Sequence, residues 1–228
     1  MQQLALSFHT HTSYRPEDFL VSDCNRKAWM WMQPKQSWPK PVFVLRGPQA
    51  SGKSHLAAIW AAFHGAPILS AAALSDDHPP QDYFAGGSHL VVEDIETAPS
   101  ESLLFHLFNY TQQHENSLLF TVNDAACWDH FTLPDLRSRL QAAPQAVISQ
   151  PDDMLLATLL IKHLRDRQLS YNDTLIAYLL PRLERSFDAS RAVVKQLDES
   201  ALRQKQPLTV ALARSILAEI NAQGLSKS

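Results

Sequence analysis

Cysteine is nearly absent: Cys24 and Cys127 are the only two in 228 residues, far apart and in no metal-ligand spacing. Two cysteines so placed read as reduced thiols of a cytosolic protein, not as a disulfide framework. Long apolar runs are missing as well. No stretch approaches the roughly 18 residues that a membrane span needs. Met1 to Phe8 lacks the basic start and long apolar core of a signal peptide. The expected location is the cytoplasm, with no membrane partner. An excess of basic charge is also missing. Lys and Arg number 20 against 23 Asp and Glu, for a formal net charge of -3. A dedicated duplex-DNA binder usually carries a basic face, and nothing here demands one, so direct sequence-specific DNA binding is not expected. The ten histidines are scattered. His9 and His11 form the one tight pair, with no carboxylate or thiol nearby, and no metal site is expected there.

What is present is an apolar share of 45 %, ample for a core. The length is long for one compact domain and short for two large ones, and suits a medium α/β domain with a small helical one. Asp23 to Trp31 reads as a short helix with Asp23 or Ser22 as cap. Gln33 to Pro41, with three prolines, must be a loop. Val42-Phe43-Val44-Leu45 is a continuous apolar run of the kind that forms a strand buried on both faces. A helix over Lys53 to Phe63 follows. Pro67 to Leu69, Leu90 to Val92, Leu118 to Val122 and Ala146 to Ile148 are four more strand candidates. Leu74 to Gly87 reads as loop, and Glu101 to His114 as a helix with Leu104, Phe105, Leu107 and Phe108 on its buried stripe. Strands alternating with helices predict a parallel, five-stranded, three-layer α/β domain. After Pro151 the pattern turns wholly helical. Asp152, Asp173 and Thr209 are expected helix caps, with Val193, Leu197 and Ala201 marking a further helix. The expected division is a tail over 1–16, a nucleotide-binding core over 17–150 and a helical lid over 151–228.

Gly47-Pro48-Gln49-Ala50-Ser51-Gly52-Lys53-Ser54 matches G-x-x-x-x-G-K-[ST] at every fixed position, between an apolar strand and a helix, where a phosphate-binding loop must sit. Glycines let the backbone turn tightly and bring N–H groups to phosphate oxygens, and the following helix points its positive end at the same anion. Lys53 would reach the outer phosphates and Ser54 would hold Mg2+. About forty residues on, Leu90-Val91-Val92-Glu93-Asp94 reads as a strand ending in two acids, Glu93 toward the metal and Asp94 toward the attacking water.

These residues resemble a known family. Tyr14-Arg15-Pro16-Glu17-Asp18-Phe19-Leu20-Val21 with Asn25-Arg26 looks like the segment that leads into DnaA-type AAA+ domains and shapes their adenine pocket, which implies nucleotide contacts from Phe19 and Val21. Leu118-Leu119-Phe120-Thr121 with Asn123 resembles the sensor 1 strand. Leu133-Pro134-Asp135-Leu136-Arg137-Ser138-Arg139-Leu140 resembles the arginine-finger segment, implying Arg139 as a finger acting in trans, with Arg137 as the alternate. The helices after residue 150 look like the AAA+ lid. DnaA continues into a helix-turn-helix domain, and this sequence shows none. That layout is similar to the Hda family, regulatory inactivators of DnaA, and Gln3-Leu4-Ala5-Leu6-Ser7-Phe8 is similar to their sliding-clamp peptide. The resemblance implies ADP or ATP with Mg2+ as ligands. It implies the clamp, through Gln3, Leu4, Leu6 and Phe8, and DnaA as partners, and leaves room for a homodimer. Two positions depart from the family. The usual acidic order is Asp then Glu or Asp, against Glu93 then Asp94 here. The sensor 2 arginine position falls on Asp188, which also suits a helix cap, and Arg191 lies one turn further on. Both departures weaken the case for fast hydrolysis, because positioning is most of phosphoryl-transfer catalysis. The expected function is a clamp-tethered regulator that promotes hydrolysis of DnaA-bound ATP. The alternative is a self-contained ATPase of the helicase-loader kind. A small-molecule kinase fits poorly, for want of an arginine-rich substrate lid.

Overall fold

The structure, a computed structural model, describes residues 14–124, 128–204 and 207–225. The peptide carrying Gln3, Leu4, Leu6 and Phe8 lies outside the described residues, as do His9, His11 and Cys127. Five strands form one sheet: β1 (Val42–Gly47), β2 (Ile68–Ser70), β3 (His89–Glu93), β4 (Ser117–Asn123) and β5 (Gln145–Val147). All pairings are parallel, in the order β2-β3-β4-β1-β5. Eight α-helices accompany them among the described residues: α1 (Arg26–Trp31), α2 (Lys53–His64), α3 (Glu101–Gln113), α4 (Pro134–Ala142), α5 (Asp153–Asp166), α6 (Asp173–Leu179), α7 (Phe187–Gln204) and α8 (Val210–Leu225).

The two-residue period of the strands sorts their side chains between two cores. Val42 and Val44 of β1, Val92 of β3 and Leu118, Phe120 and Val122 of β4 pack against α3 and α4. Phe43, Leu45, Val91 and Leu119 face the other way, onto Leu56, Ile59 and Trp60 of α2 and Ala28 of α1. Both faces of β1 are therefore covered, which is why its sequence is a run of apolar residues without alternation. A third cluster, with Leu160, Leu164, Leu175, Leu179, Val193, Leu197, Ala213 and Ile216, holds α5 to α8 together.

The helix starts are set by short polar side chains that satisfy otherwise unpaired N–H groups. Ser100, Asp152 and Thr209 accept from Leu103, Leu155 and Leu212. Two expected caps are displaced. Asn172, not Asp173, accepts from Leu175 N–H at 2.9 Å. Ser186, not Asp188, accepts from Ala189 N–H at 3.1 Å, leaving Asp188 exposed in the first turn of α7. The first helix also starts later than Asp23. Asn25 Oδ1 takes the Ser22 N–H and its amide donates to Leu20 O, so residues 22–25 form a turn. The stretch expected as loop between β2 and β3 is packed down by two short 3-10 turns, with Phe84 buried against the α3 side of the sheet.

Trp38, Trp60, His64 and His89 stack in succession, with ring centroids 4.5, 4.7 and 5.0 Å apart. Burial pushes the His64 imidazole below the ordinary histidine range, and the neighbouring His89 adds to it; burial does the same to His89. His64 Nε2 is buried with no acceptor among the described residues, so a proton there has nothing to donate to. The unfolded chain binds these protons more readily than the folded one. Their stabilising contribution is complete above the usual histidine pKa of about 6.5 and is lost as pH falls below it through the lowered folded values. Urea unfolding between pH 7.5 and 5 should therefore show a stability that falls with acid. In His64→Phe, which keeps a ring against Trp60, that slope should be shallower.

Candidate functional site

Parallel strands end together, so the loops after β1, β3 and β4 open at one edge of the sheet. The loop after β1 is the glycine-rich segment. Gly47 closes β1, lies opposite Asn123 of β4 in register, and leaves no room for a side chain. A Cβ there would stand 2.8 Å from Ser51 Oγ and 2.9 Å from Ile148 Cβ. Ala50 and Gly52 both have positive φ, 59° and 93°, and the second starts α2. Ala50 is a non-glycine residue held in the left-handed region, a strain on the order of 1 kcal/mol.

Lys53 is buried at the head of α2, and its ammonium donates to Gly47 O at 2.9 Å and Pro48 O at 3.0 Å. The lysine is thus folded back onto the loop's own carbonyls. Burial pushes its pKa down, and the surrounding carboxylates of Asp94, Glu96, Glu93 and Asp124 oppose that shift. Ser54, next on the helix, is exposed at the same mouth. Gln49 and Pro48 complete the loop.

Two of the four acids come from β3 and its exit. Glu93 follows Val91 at a spacing of two, so it projects on the α2 side of the sheet, toward the loop. Its Oε1 is buried with no hydrogen-bond partner among the described residues. Asp94 turns away from the strand with φ 53°, its N–H held by Thr121 Oγ1 at 2.9 Å and its side chain exposed. Glu96, which the sequence reading passed over, comes back into the site. Its Oε1 accepts the Asn123 N–H at 3.0 Å, and its Oε2 is buried without a partner among the described residues. The signal that could have found it is the short turn after the strand, which brings a residue two beyond Asp94 back to the strand ends.

The segment before α1 closes the other side. Phe19 lies on the loop: a Cβ on Gly52 would stand 3.0 Å from its Cε2. Its ring stacks on Trp29 at 5.3 Å, nearly parallel, and meets His55 edge-on. Phe19 and Leu20, with Ala50, Gly52 and His55, line a cleft of about 90 Å³. Val21 is 42 % exposed and is not among the residues that line it. Leu155 and Leu159 of α5 and Phe187 of α7 form the opposite wall, and Lys162 of α5 ties the two sides by donating to Asp18 O at 2.9 Å. Arg191 of α7 is exposed and lies near His163, whose pKa burial lowers first and Arg191 further.

Arg139 is elsewhere. It lines a shallow pocket with Lys40 and Val42, at the start of β1, while the glycine-rich loop follows the end of that strand. Six residues of strand put roughly 17 Å between the two ends. The guanidinium lies 4.9 Å from the Phe105 ring centre and donates to Gln112 at 3.3 Å. Arg137 is about half exposed, with only a long 3.9 Å contact to the exposed Asp129.

The arrangement brings together a nest of backbone N–H groups at a helix start, one ammonium and a set of carboxylates. That combination suits a polyanion accompanied by a cation, next to a cleft of about 90 Å³ walled largely by apolar side chains. Gly52 and Gly65 separate the loop's steric demand from ordinary backbone strain, since both have positive φ but nothing lies within 4 Å of a Cβ on Gly65. In urea unfolding Gly52→Ala should cost about 1–3 kcal/mol more than Gly65→Ala, because only the former pushes on Phe19.

No family model matches the chain, and no curated protein sequence matches it. Solved structures do. Domain III of the replication initiation protein DnaA from Thermotoga maritima superposes with a TM-score of 0.73 at 15% identity, covering 90% of this chain and 96% of that one. The replication initiator DnaA bound to AMPPCP and single-stranded DNA gives 0.65 at 16% identity, over 86% and 69%. The RuvB Holliday junction branch migration motor of Thermotoga maritima gives 0.63 at 15% identity, over 90% and 71%. The chain has the AAA+ fold: a five-stranded parallel sheet between helical layers, as in DnaA and RuvB.

Proposed function

We propose that this chain is a nucleotide-holding regulator of the Hda kind, which promotes hydrolysis of ATP carried by DnaA while tethered to the DNA polymerase sliding clamp. The observation that carries the reading is the separation of the two ends of β1. Arg139 and the glycine-rich loop lie at opposite ends of that strand, so one chain cannot apply this arginine to its own nucleotide. As a finger, Arg139 reaches only a nucleotide held by another molecule. Release of the half-buried Arg139 from Phe105, Phe108 and Gln112 costs about 1–2 kcal/mol, between the exposed and desolvated values for a cation–π contact.

In this reading the chain's own site holds ADP or ATP. The backbone of residues 47–54 takes the phosphates, with Lys53 turning from Gly47 O and Pro48 O to the outer oxygens, and Phe19 covers the base beside α5 and α7. Ser54 and Glu93 are the residues placed to hold Mg2+, and the buried, unpartnered Glu93 Oε1 fits a cation. Bound Mg2+ supplies charge neutralisation on the phosphates. The same site favours slow turnover over fast. Asp94 is exposed with its backbone tied to Thr121, and Asp188 stands exposed where the family has an arginine. Residues 17–150 would form the core and 151–228 the lid that closes on it. The AMPPCP-bound DnaA neighbour supports the choice of ligand. The clamp tether rests on the sequence Gln3 to Phe8, with DnaA as the second partner and a homodimer as a further state. No helix among the described residues is long and apolar enough to cross a membrane.

Removal of residues 1–8 should abolish binding to purified sliding clamp and leave the melting temperature unchanged; clamp affinity that survives the truncation rejects the tether. Arg139→Ala should keep clamp binding and lose stimulation of DnaA hydrolysis by on the order of 10³-fold. If Arg137→Ala shows that loss instead, the finger is Arg137.

A further inference from the structure

We infer that Glu96 joins Glu93 and Asp94 as a carboxylate of the nucleotide site, and that it faces the hydrated divalent cation beside the phosphates. This rests on the reading of the site as a nucleotide pocket. Two observations support it. The first is where the acid sits. Glu96 lies in the short 3-10 turn Ile95–Thr97 that follows β3, and its Oε1 accepts the backbone N–H of Asn123 at 3.0 Å. Asn123 ends β4 directly opposite Gly47 of β1, so the Glu96 carboxylate is anchored at the strand end bordering the glycine-rich loop.

The second is an unmet acceptor. Glu96 Oε2 is buried and has no donor among the described residues, as does Glu93 Oε1. Burying a carboxylate oxygen without a donor is costly, and natural sites resolve that cost with a cation or with the water it holds. Both oxygens belong to acids that act on the Lys53 ammonium, so they share one electrostatic neighbourhood. Asp94 stays at the same mouth, exposed and first among the acids in its effect on Lys53, and the turn that begins at its φ of 53° delivers Glu96.

The chemistry expected of Glu96 is that of an outer carboxylate. It takes a hydrogen bond from cation-bound water with Oε2 while Oε1 fixes the end of β4. Glu96 is accordingly a positioning residue, coupling the cation to Asn123 through one side chain.

Glu96→Gln separates this role from a purely structural one. The glutamine Oε1 can still accept from Asn123 N–H, while the other atom becomes a donor and can no longer accept from cation-bound water. ADP and ATP affinities of the full chain are measured by calorimetry with Mg2+ and with EDTA, for the native protein, Glu96→Gln and Glu96→Asp. The native protein should bind more tightly with Mg2+. In Glu96→Gln that gain, taken as the ratio of the Mg2+ to the EDTA affinity, should shrink by roughly tenfold or more, the usual size when an outer partner of a metal site is lost, with the melting temperature unchanged. Glu96→Asp, which keeps the charge, should retain part of the gain. An Mg2+ gain in Glu96→Gln equal to the native one overturns the inference, and so does a native protein that binds nucleotide equally well with and without Mg2+. A native protein that binds neither nucleotide under any condition overturns instead the nucleotide reading beneath it.

Discussion

The shared direction of five strands is the constraint on which everything else in this chain depends. Because β1, β3 and β4 are parallel and adjacent, their C-terminal ends meet at one edge, and whatever follows them is gathered there without further design. β1 delivers the glycine-rich loop and Lys53, β3 delivers Glu93 and Glu96, and β4 delivers Thr121 and Asn123. The register is tight enough that Gly47 and Asn123 are direct neighbours, and the glycine is required because Ser51 and Ile148 occupy the space of a side chain. The same parallelism puts the strand starts at the far edge, where Arg139 packs on α3. One geometric fact thus gathers the glycine-rich loop and the acids at one edge and leaves an arginine at the other.

The buried ammonium of Lys53 gives that site its electrostatic character. Burial works against the charge, and four carboxylates work for it. The ammonium donates to the carbonyls of Gly47 and Pro48. Both contacts are charge-assisted through the donor alone, whereas phosphate oxygens carry the opposite charge and add a direct Coulomb attraction. The loop is therefore held in shape by an interaction that a polyphosphate can replace at a profit in free energy.

Much of this was legible in the sequence. The alternation of apolar runs with helical stretches foretold the sheet and its layers, because strands buried on both faces must be continuously apolar, as Val42 to Leu45 are. The glycine-rich motif was legible because its fixed residues are each required by backbone geometry. Helix starts were legible to within a few residues: Asp152 and Thr209 cap as expected, while Asn172 and Ser186 displaced Asp173 and Asp188, since adjacent polar residues compete and only local geometry chooses between them. The roles of the acids were less legible. A sequence order of Glu93 then Asp94 says nothing of the positive φ at Asp94 that begins the turn carrying Glu96 back to the strand ends. Likewise Phe19 and Val21 looked equivalent in the segment before α1, and only the packing of Phe19 on Gly52 and Trp29 distinguishes them. The surroundings of Arg139 depended on a long-range contact with Phe105 and Gln112 that no local pattern encodes.

The proposed reading is of a chain that holds one nucleotide at the glycine-rich edge and acts on another through the arginine at the far edge. The most direct measurement is to load purified DnaA with labelled ATP, remove free nucleotide, add this chain with sliding clamp on DNA, and follow conversion of the bound label to ADP. The account predicts conversion that accelerates with added chain and far exceeds the sum of the two proteins' separate rates. Conversion at the rate of DnaA alone, or an equal rate of ATP hydrolysis by this chain without DnaA, would contradict it.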